Sequence, residues 1–275
     1  MAKLALHSVT ARQLEHFTAQ PSHAVLLTGP MGIGKTAVAD YLAAQLAGQN
    51  LETFAYLKRI TSLEGKAITI EQVRELEHFL SLKVPGSAAI KRLVIIEQAQ
   101  LLGTEAQNAI LKTLEEPPAD TVIILTATSA QSLLPTIQSR LQSIQITKPA
   151  KADLLALISA DDSSYALTGG LPGLLYAMMN DETHPLLDAV KTARGLLSQT
   201  AYERLNQVDV LAKDKPLAIN VLTILQQMAH ISLRSASGAA AKRWQGIMIQ
   251  SYQAGEQLSA SAQPKLALTN LLLNL

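Results

Sequence analysis

The sequence predicts an α/β fold, with a parallel sheet within residues 1–150 and helices alone after that point. Three short and continuously apolar segments have the length and composition of buried strands: residues 24–28, 93–96 and 122–125. Helical patterns separate these segments, and strands that are apolar on both faces are typical of a parallel sheet covered by helices on both sides. After Lys148 and Pro149 the strand pattern does not return.

Four helices are predicted around and between these strands. They span residues 10–20, 36–47, 70–82 and 105–116. In the third, Val73, Leu76 and Leu80 recur at the spacing of one helix face. Pro117 and Pro118 end the fourth, because proline cannot continue a helix.

The remaining residues are predicted to form two helical parts. Residues 151–184 form a short helical segment, interrupted by a glycine-rich turn at 169–173. Residues 185–275 form a longer all-helical part, in which apolar residues recur at helical spacing over 217–231. Residues 235–241 are rich in small side chains and fit either a helix or a loop.

Composition narrows the class of protein. The chain has 275 residues, 48% of them hydrophobic, and no cysteine, which excludes disulfides, thiol nucleophiles and cysteine-ligated zinc. No apolar run approaches the roughly 18 residues of a membrane span, and the first residues do not resemble a signal peptide. We therefore expect a cytoplasmic protein with no membrane partner. A formal net charge of +1 gives no indication of nucleic-acid binding.

A phosphate-binding motif lies between the first predicted strand and the helix that follows. The motif matches G-x4-G-K-[ST] in full and consists of Gly29, Pro30, Met31, Gly32, Ile33, Gly34, Lys35 and Thr36. Its glycines let successive backbone N–H groups converge on an oxyanion, and the helix adds its positive end. Lys35 is predicted to reach the β- and γ-phosphates of ATP, and Thr36 to bind Mg²⁺. The alternative is a glycine-rich turn without a ligand.

The next buried strand ends in Glu97 and Gln98. In P-loop hydrolases an acidic residue at this strand end holds Mg²⁺, and a neighbouring carboxylate often activates the attacking water. Glu97 occupies the metal-associated position, but the amide of Gln98 cannot accept a proton at neutral pH. Loss of a general base typically costs about 10² to 10⁴ in rate, so hydrolysis by this chain alone should be very slow or absent. The alternative is that both residues are only polar strand-end residues.

Further segments carry a family likeness. They are residues 68–76, 105–118, 133–140 and 264–273. Together with the phosphate loop they resemble bacterial clamp-loader subunits of DNA polymerase III, which are AAA+ proteins. Ser139 and Arg140 match the Ser-Arg-Cys motif of that family, with Leu141 in place of the cysteine. The likeness is dense from residue 25 to 146 and thin from 161 to 259.

The resemblance implies an AAA+ nucleotide-binding domain (1–150), a helical lid (151–184) and a helical collar (185–275) that joins subunits into a hetero-pentameric ring. The implied partners are gamma/tau and delta subunits, the sliding clamp, and primer-template DNA held by the assembled complex. Arg140 corresponds to the arginine that reaches the nucleotide of a neighbouring subunit, and we expect its guanidinium to be exposed and to point outward. The alternative is an ordinary surface arginine. Thr128 matches the sensor-1 position near the γ-phosphate, although a threonine that only caps a turn is an alternative.

Three departures from the family pattern favour its delta-prime branch over the gamma/tau motors. The cysteine module that binds zinc is missing, and residues 51–60 bridge the gap, so no zinc site is expected. Leu174 follows Gly173 where the family usually has the sensor-2 arginine. Gln98 replaces the catalytic carboxylate.

Three functional hypotheses follow. The first is a clamp-loader subunit that binds ATP, turns it over weakly or not at all, and supplies Arg140 in trans. The second is a catalytic gamma/tau-like motor in which another residue compensates for Gln98. The third is a P-loop kinase, which predicts an acceptor-binding lid rich in Arg or Asp, whereas residues 151–180 contain no arginine.

Overall fold

The computed structural model describes residues 4–62, 66–180, 184, 186–259 and 263–275. The chain divides into two compact units, residues 1–150 and 151–275. Among the residues described, no helix has both the length and the apolar character that a membrane crossing requires.

Five strands form one sheet within the described part of the first unit. They are β1 (Ala24–Thr28), β2 (Leu57–Ile60), β3 (Arg92–Ile96), β4 (Thr121–Ala127) and β5 (Gln142–Gln145). Their order is β2-β3-β4-β1-β5, and every neighbouring pair is parallel. All carboxyl ends therefore lie along one edge of the sheet, which is where ligands bind in open parallel sheets.

The three strands predicted from the sequence are confirmed as β1, β3 and β4, the interior of the sheet, and all their residues are buried. Strand β2, which lies within residues 51–60, was missed. Strand β5 was also missed. Both are edge strands with one fully buried residue each, Ile60 and Ile144, so their apolar pattern is too weak to predict a strand.

Helices cover the sheet of the first unit. They are α1 (Ser8–Ala19), α2 (Lys35–Ala47), α3 (Ile70–Ser81), α4 (Thr104–Glu115) and α5 (Pro135–Gln138), with single 3₁₀ turns at Leu51–Thr53, Ala99–Leu101 and Ala130–Ser132. The four predicted helices are confirmed to within two residues at each end. Leu76 of α3 and Ile110 of α4 pack into one buried cluster with Val94 and Ile123 of the sheet.

The second unit is helical throughout its described residues, as predicted. Its helices are α6 (Lys151–Ile158), α7 (Asp162–Leu167), α8 (Pro172–Met179), α9 (Leu187–Ser198), α10 (Ala201–Asn206), α11 (Val208–Lys213), α12 (Lys215–Ser232), α13 (Gly238–Ser259) and α14 (Pro264–Leu273). The ambiguous segment 235–241 is a turn up to residue 237 and helical from Gly238. The predicted boundary at 184/185 adjoins residues 181–183 and 185, which lie outside the described residues, and the division into lid and collar stays a prediction.

An almost fully buried arginine links the amino ends of β3 and β4 through hydrogen bonds. Arg92 is 6% exposed, and its Nε donates to Asp120 Oδ1 at 3.1 Å while its Nη1 donates to the carbonyl of Leu82 at 3.0 Å. A buried guanidinium needs such partners, because an unpaired buried charge is strongly destabilising. The hydrogen bond from Arg92 lowers the pKa of the Asp120 carboxyl below its ordinary value, against an opposing effect of burial.

We predict that Asp120→Asn lowers the free energy of unfolding by about 2 kcal/mol at pH 7, because hydrogen bonds to charged groups are lost and Arg92 keeps its buried charge. The pKa of Asp120 is lower in the folded state, so its contribution is complete above the unfolded pKa of about 3.9 and is lost as pH falls through the folded value. Urea unfolding between pH 7 and pH 3 should show the two proteins converging. Glu116→Gln, at an exposed carboxylate nearby, serves as control. A constant difference at all pH values would contradict this account.

Candidate nucleotide-binding site

The phosphate motif forms the turn between β1 and α2. Gly32 and Gly34 have φ angles of 82° and 91°, in the left-handed region that glycine enters without a Cβ clash. Gly34 is the residue before α2 and has no side chain that could cap the helix. The first N–H groups of α2 are therefore left for an external acceptor, and an anion there also meets the positive end of the helix dipole.

The ammonium group of Lys35 lies inside this turn. Its Nζ donates to the carbonyl oxygen of Gly29 at 2.7 Å and to that of Pro30 at 2.9 Å. Burial lowers the pKa of Lys35 to about 8, because desolvation disfavours the charged form. Among the described residues, neutral carbonyls are the hydrogen-bond partners of this partly buried cation. A polyphosphate would stabilise it, so the loop is electrostatically suited to an anionic ligand.

The two predicted Mg²⁺ ligands lie next to each other at the carboxyl edge of the sheet. Thr36 begins α2 after β1, and Glu97 follows β3. The Thr36 hydroxyl donates to Glu97 Oε2 at 3.2 Å. These hard oxygen donors are of the kind that Mg²⁺ prefers, so the donor set fits a magnesium ion carried by a nucleotide.

Gln98 follows at the position where a hydrolase places its base. Its backbone is left-handed, with φ of 51°, and its N–H donates to Thr126 Oγ1 of β4 at 3.0 Å. The side chain lies on the surface. An exposed amide at this position can donate and accept hydrogen bonds, but it cannot take a proton from water.

Thr128 follows β4, the strand beside β1, and its side chain is exposed. Its N–H donates to Gln100 Oε1 at 3.3 Å. One residue earlier, the carbonyl of Ala127 accepts from the N–H of Gly29 at 3.2 Å. Thr128 is therefore the residue next to one that contacts the phosphate loop, and its sensor-1 role stays a prediction.

Sequence reasoning missed a charged group at this site. Arg59 of β2 forms ion pairs with Glu97 through its Nη1 and with Asp40 of α2 through its Nη2. Burial alone would lower the pKa of Arg59, but the hydrogen bonds and charges of Asp40 and Glu97 raise it above its ordinary value. The motif gave no signal for this residue, because Arg59 lies on a strand that the sequence pattern did not predict.

Arg140 lies away from this chain's own phosphate loop. It precedes β5, whose first residue Gln142 is paired with Val25 and whose last residue is paired with Thr28. Because β5 is parallel to β1, Arg140 is at the amino edge of the sheet, whereas the phosphate loop begins at the carboxyl edge.

The expectation of an outward-pointing, exposed Arg140 guanidinium needs correction. The side chain is 33% exposed, and its Nη2 pairs with Glu115 Oε1 of α4 at 2.6 Å. Its Nη1 donates to the carbonyl of Thr136 at 2.7 Å. The sequence could not show this pairing, because α4 and Arg140 meet only in the folded chain.

Two further observations concern the side chain of Leu174 and possible clusters of metal ligands. Leu174, at the position of the sensor-2 arginine, is fully buried within the second unit. It acts as a core residue there. No group of histidine, aspartate and glutamate side chains suited to a metal ion occurs within the part of the chain that the structure describes.

The strand order and the phosphate loop together define the class. An all-parallel sheet in the order β2-β3-β4-β1-β5, with a complete P-loop after β1 and a following helical unit, is the architecture of AAA+ P-loop proteins. The site has the geometry for a nucleotide phosphate, an acidic strand end beside it, and an amide where the catalytic carboxylate would be.

Comparison with known proteins gives the family within this class. Residues 7–150 match the family model described as DNA polymerase III, delta subunit, and the chain belongs to that family. A delta-prime subunit of DNA polymerase III from Pseudomonas aeruginosa is 34% identical over 183 residues, which cover 56% of this chain and 55% of that protein. The match therefore spans about half the length of this relative.

Two other similarities extend along most of the chain. The replication factor C small subunit of Methanococcus maripaludis is 24% identical over 92% of this chain and 77% of its own length. The crystal structure of a DNA polymerase III gamma subunit-related protein from Thermotoga maritima superposes with a TM-score of 0.51 at 20% identity. This superposition covers 94% of this chain and 97% of that one, and at such low identity it supports the fold alone.

We predict that Lys35→Met makes the empty protein more stable and abolishes its stabilisation by ATP. Removing a desolvated charge should raise the free energy of unfolding by about 1 kcal/mol, and methionine retains an unbranched, flexible side chain that is one atom shorter. ATP at 100 times its Kd should stabilise the unsubstituted protein by about 2.7 kcal/mol. Urea unfolding with and without ATP measures both effects.

Lys83→Met, at an exposed lysine outside the loop, is the matched control for this prediction. It should leave the response to ATP unchanged. Equal stabilisation of the Lys35→Met variant by ATP would show that the ammonium group does not contact the nucleotide.

Proposed function

We propose that the chain is a delta-prime-like subunit of the clamp loader of a DNA polymerase III holoenzyme, and that it binds ATP without efficient turnover. The family match and the Pseudomonas relative support the clamp-loader assignment. The observation that carries ATP binding is the partly buried Lys35 ammonium, which lies in a complete phosphate loop and, within the described residues, donates to the carbonyls of Gly29 and Pro30. Thr36 and Glu97 would hold the Mg²⁺ of the nucleotide.

Weak or absent hydrolysis follows from two substitutions. Gln98 offers an amide where a general base is needed, which removes a contribution of about 10² to 10⁴ in rate. Leu174 is buried and uncharged at the position of the sensor-2 arginine. Such a subunit would use ATP as a structural ligand.

Arg140 is proposed to act on the nucleotide of a neighbouring subunit. Its place at the amino edge of the sheet keeps it away from this chain's own P-loop, and a guanidinium supplied in trans can stabilise the charge of a phosphoryl transition state. Its hydrogen bonds to the carbonyl of Thr136 and to Glu115 support the side chain from its own subunit. The interaction with Glu115 has to be shared or released when Arg140 meets a phosphate.

The proposed assembly is a hetero-pentameric ring that acts in the cytoplasm. Gamma/tau and delta subunits would be its neighbours, the helices after residue 185 would form the collar, and the sliding clamp and primer-template DNA would be bound by the complete complex. The polymerase site would lie in other subunits of the holoenzyme.

A catalytic gamma/tau-like motor is the second candidate. The intact contact between Thr36 and Glu97 favours it, because a working Mg²⁺ site needs both groups close together. Significant phosphate release by the isolated chain would favour the motor, whereas the delta-prime-like assignment requires release only from neighbouring subunits.

We predict that Arg140→Ala, in a ring reconstituted with gamma/tau and delta subunits, lowers the ATPase activity of the adjacent site by at least about tenfold. An arginine supplied in trans is worth about 10³ to 10⁵ in other phosphoryl-transfer proteins. The measurement is ATPase activity with clamp and primed DNA. ATP binding by the isolated variant should stay unchanged, because Arg140 lies at the opposite sheet edge.

Two further variants control this experiment. Arg74→Ala removes an exposed arginine of α3 and should leave the ring's activity intact. Arg140→Lys keeps the charge but loses the planar guanidinium fork, and should recover only part of the activity. Full ATPase activity in the Arg140→Ala ring would remove the trans role.

A further inference from the structure

Arg59 holds the carboxylate that would otherwise serve the metal. One oxygen of Glu97, Oε1, is bonded to Arg59 Nη1, and the other, Oε2, accepts the Thr36 hydroxyl. Both oxygens therefore already have partners. A Mg²⁺ ion, or a water bound to it, would have to displace or share one of them.

The guanidinium is fixed in place from two sides. Its second arm pairs with Asp40 of α2, so Arg59 bridges the helix after the phosphate loop and the strand end that carries Glu97. The Glu97 side chain is only 17% exposed, which limits screening by water. Arginine stays protonated at all physiological pH values, so a permanent positive charge lies beside the position expected for the metal.

The charges around the site favour a phosphate ligand whose binding depends little on a bound metal ion. Lys35 and the amides of the phosphate loop supply positive potential toward the phosphates. Arg59 neutralises the negative potential of Glu97 that would attract a divalent cation. The phosphate side of the site is positively charged, whereas on the metal side the carboxylate of Glu97 is already paired with the guanidinium of Arg59.

We propose that Arg59 is a specificity-determining residue that lets this site bind ATP with little dependence on Mg²⁺. This inference rests on the proposed function, since it presupposes that ATP binds the phosphate loop. It narrows the role of Glu97 in that function: Thr36 and Glu97 can still hold a Mg²⁺ ion, but the contacts of Glu97 with Arg59 and Thr36 weaken its contribution to metal binding. Removal of the guanidinium should free Glu97 for the metal.

The test compares ATP affinity in excess MgCl₂ and in EDTA by isothermal titration calorimetry of the full chain. The unsubstituted protein should change its Kd by less than about threefold between the two buffers. Arg59→Met should bind ATP at least about tenfold more tightly with Mg²⁺ than with EDTA, in the range that changes around metal ligands commonly produce. Arg59 and Asp40 line an open surface depression of about 840 Å³, so the shorter side chain leaves no closed cavity.

Lys58→Met is the matched control, because Lys58 is the preceding residue of β2 and pairs with Glu75 at 3.3 Å. It should behave as the unsubstituted protein does. Thermal melting shows whether Arg59→Met folds. Arg59→Gln, which has a polar side chain, is a second variant and should acquire the same dependence of ATP binding on Mg²⁺.

Two results would overturn the inference while leaving ATP binding intact. One is an equally strong dependence on Mg²⁺ in the unsubstituted protein and the Arg59 variants. The other is ATP binding that depends on Mg²⁺ in the unsubstituted protein but not in the Arg59 variants, which would mean that Arg59 orients Glu97 toward the metal. No ATP binding by the unsubstituted protein in either buffer would instead refute the proposed function itself.

Discussion

The candidate site depends on one electrostatic arrangement: a partly buried ammonium group inside a turn that contains two glycines of left-handed backbone conformation. The carbonyls of Gly29 and Pro30 hold the Lys35 cation without neutralising it, and α2 directs its free N–H groups to the same region. The parallel sheet makes this possible, because β1 delivers the loop to the edge where β3 and β4 also end. Polyphosphate binding is the response that this arrangement favours, and the roles proposed for Thr36, Glu97 and Arg59 depend on it.

At the carboxyl edge of the sheet, the residues suited to nucleotide binding are present, but the carboxylate needed for hydrolysis is not. Glu97 is present and close to Thr36, whereas Gln98 supplies an amide in place of a base. Glu97 also forms an ion pair with Arg59, so its carboxylate already has partners within the protein. Arg140, which could assist catalysis, lies at the opposite edge, where only another subunit could bring a nucleotide to it. These features agree with the proposed function, in which the chain would hold a nucleotide and contribute to hydrolysis at a neighbouring subunit.

Much of this could be predicted from the sequence, for identifiable physical reasons. The interior strands are continuous apolar runs, and the phosphate loop is a local motif whose spacing fixes its geometry. The edge strands β2 and β5 escaped prediction because each buries little apolar surface. The ion pairs of Arg59 with Asp40 and Glu97, and of Arg140 with Glu115, join residues far apart in sequence. Only the folded chain brings them together, and no local pattern encodes them.

The most direct test is to measure ATP binding and phosphate release on the same preparation of the isolated chain. Calorimetric titration should show one ATP site, and phosphate release should stay below about 0.01 per second, given typical rates near 1 per second or above and the loss expected without a base. Absence of ATP binding would contradict the account of the phosphate loop. Release at the rate of a working ATPase would contradict the account of Gln98.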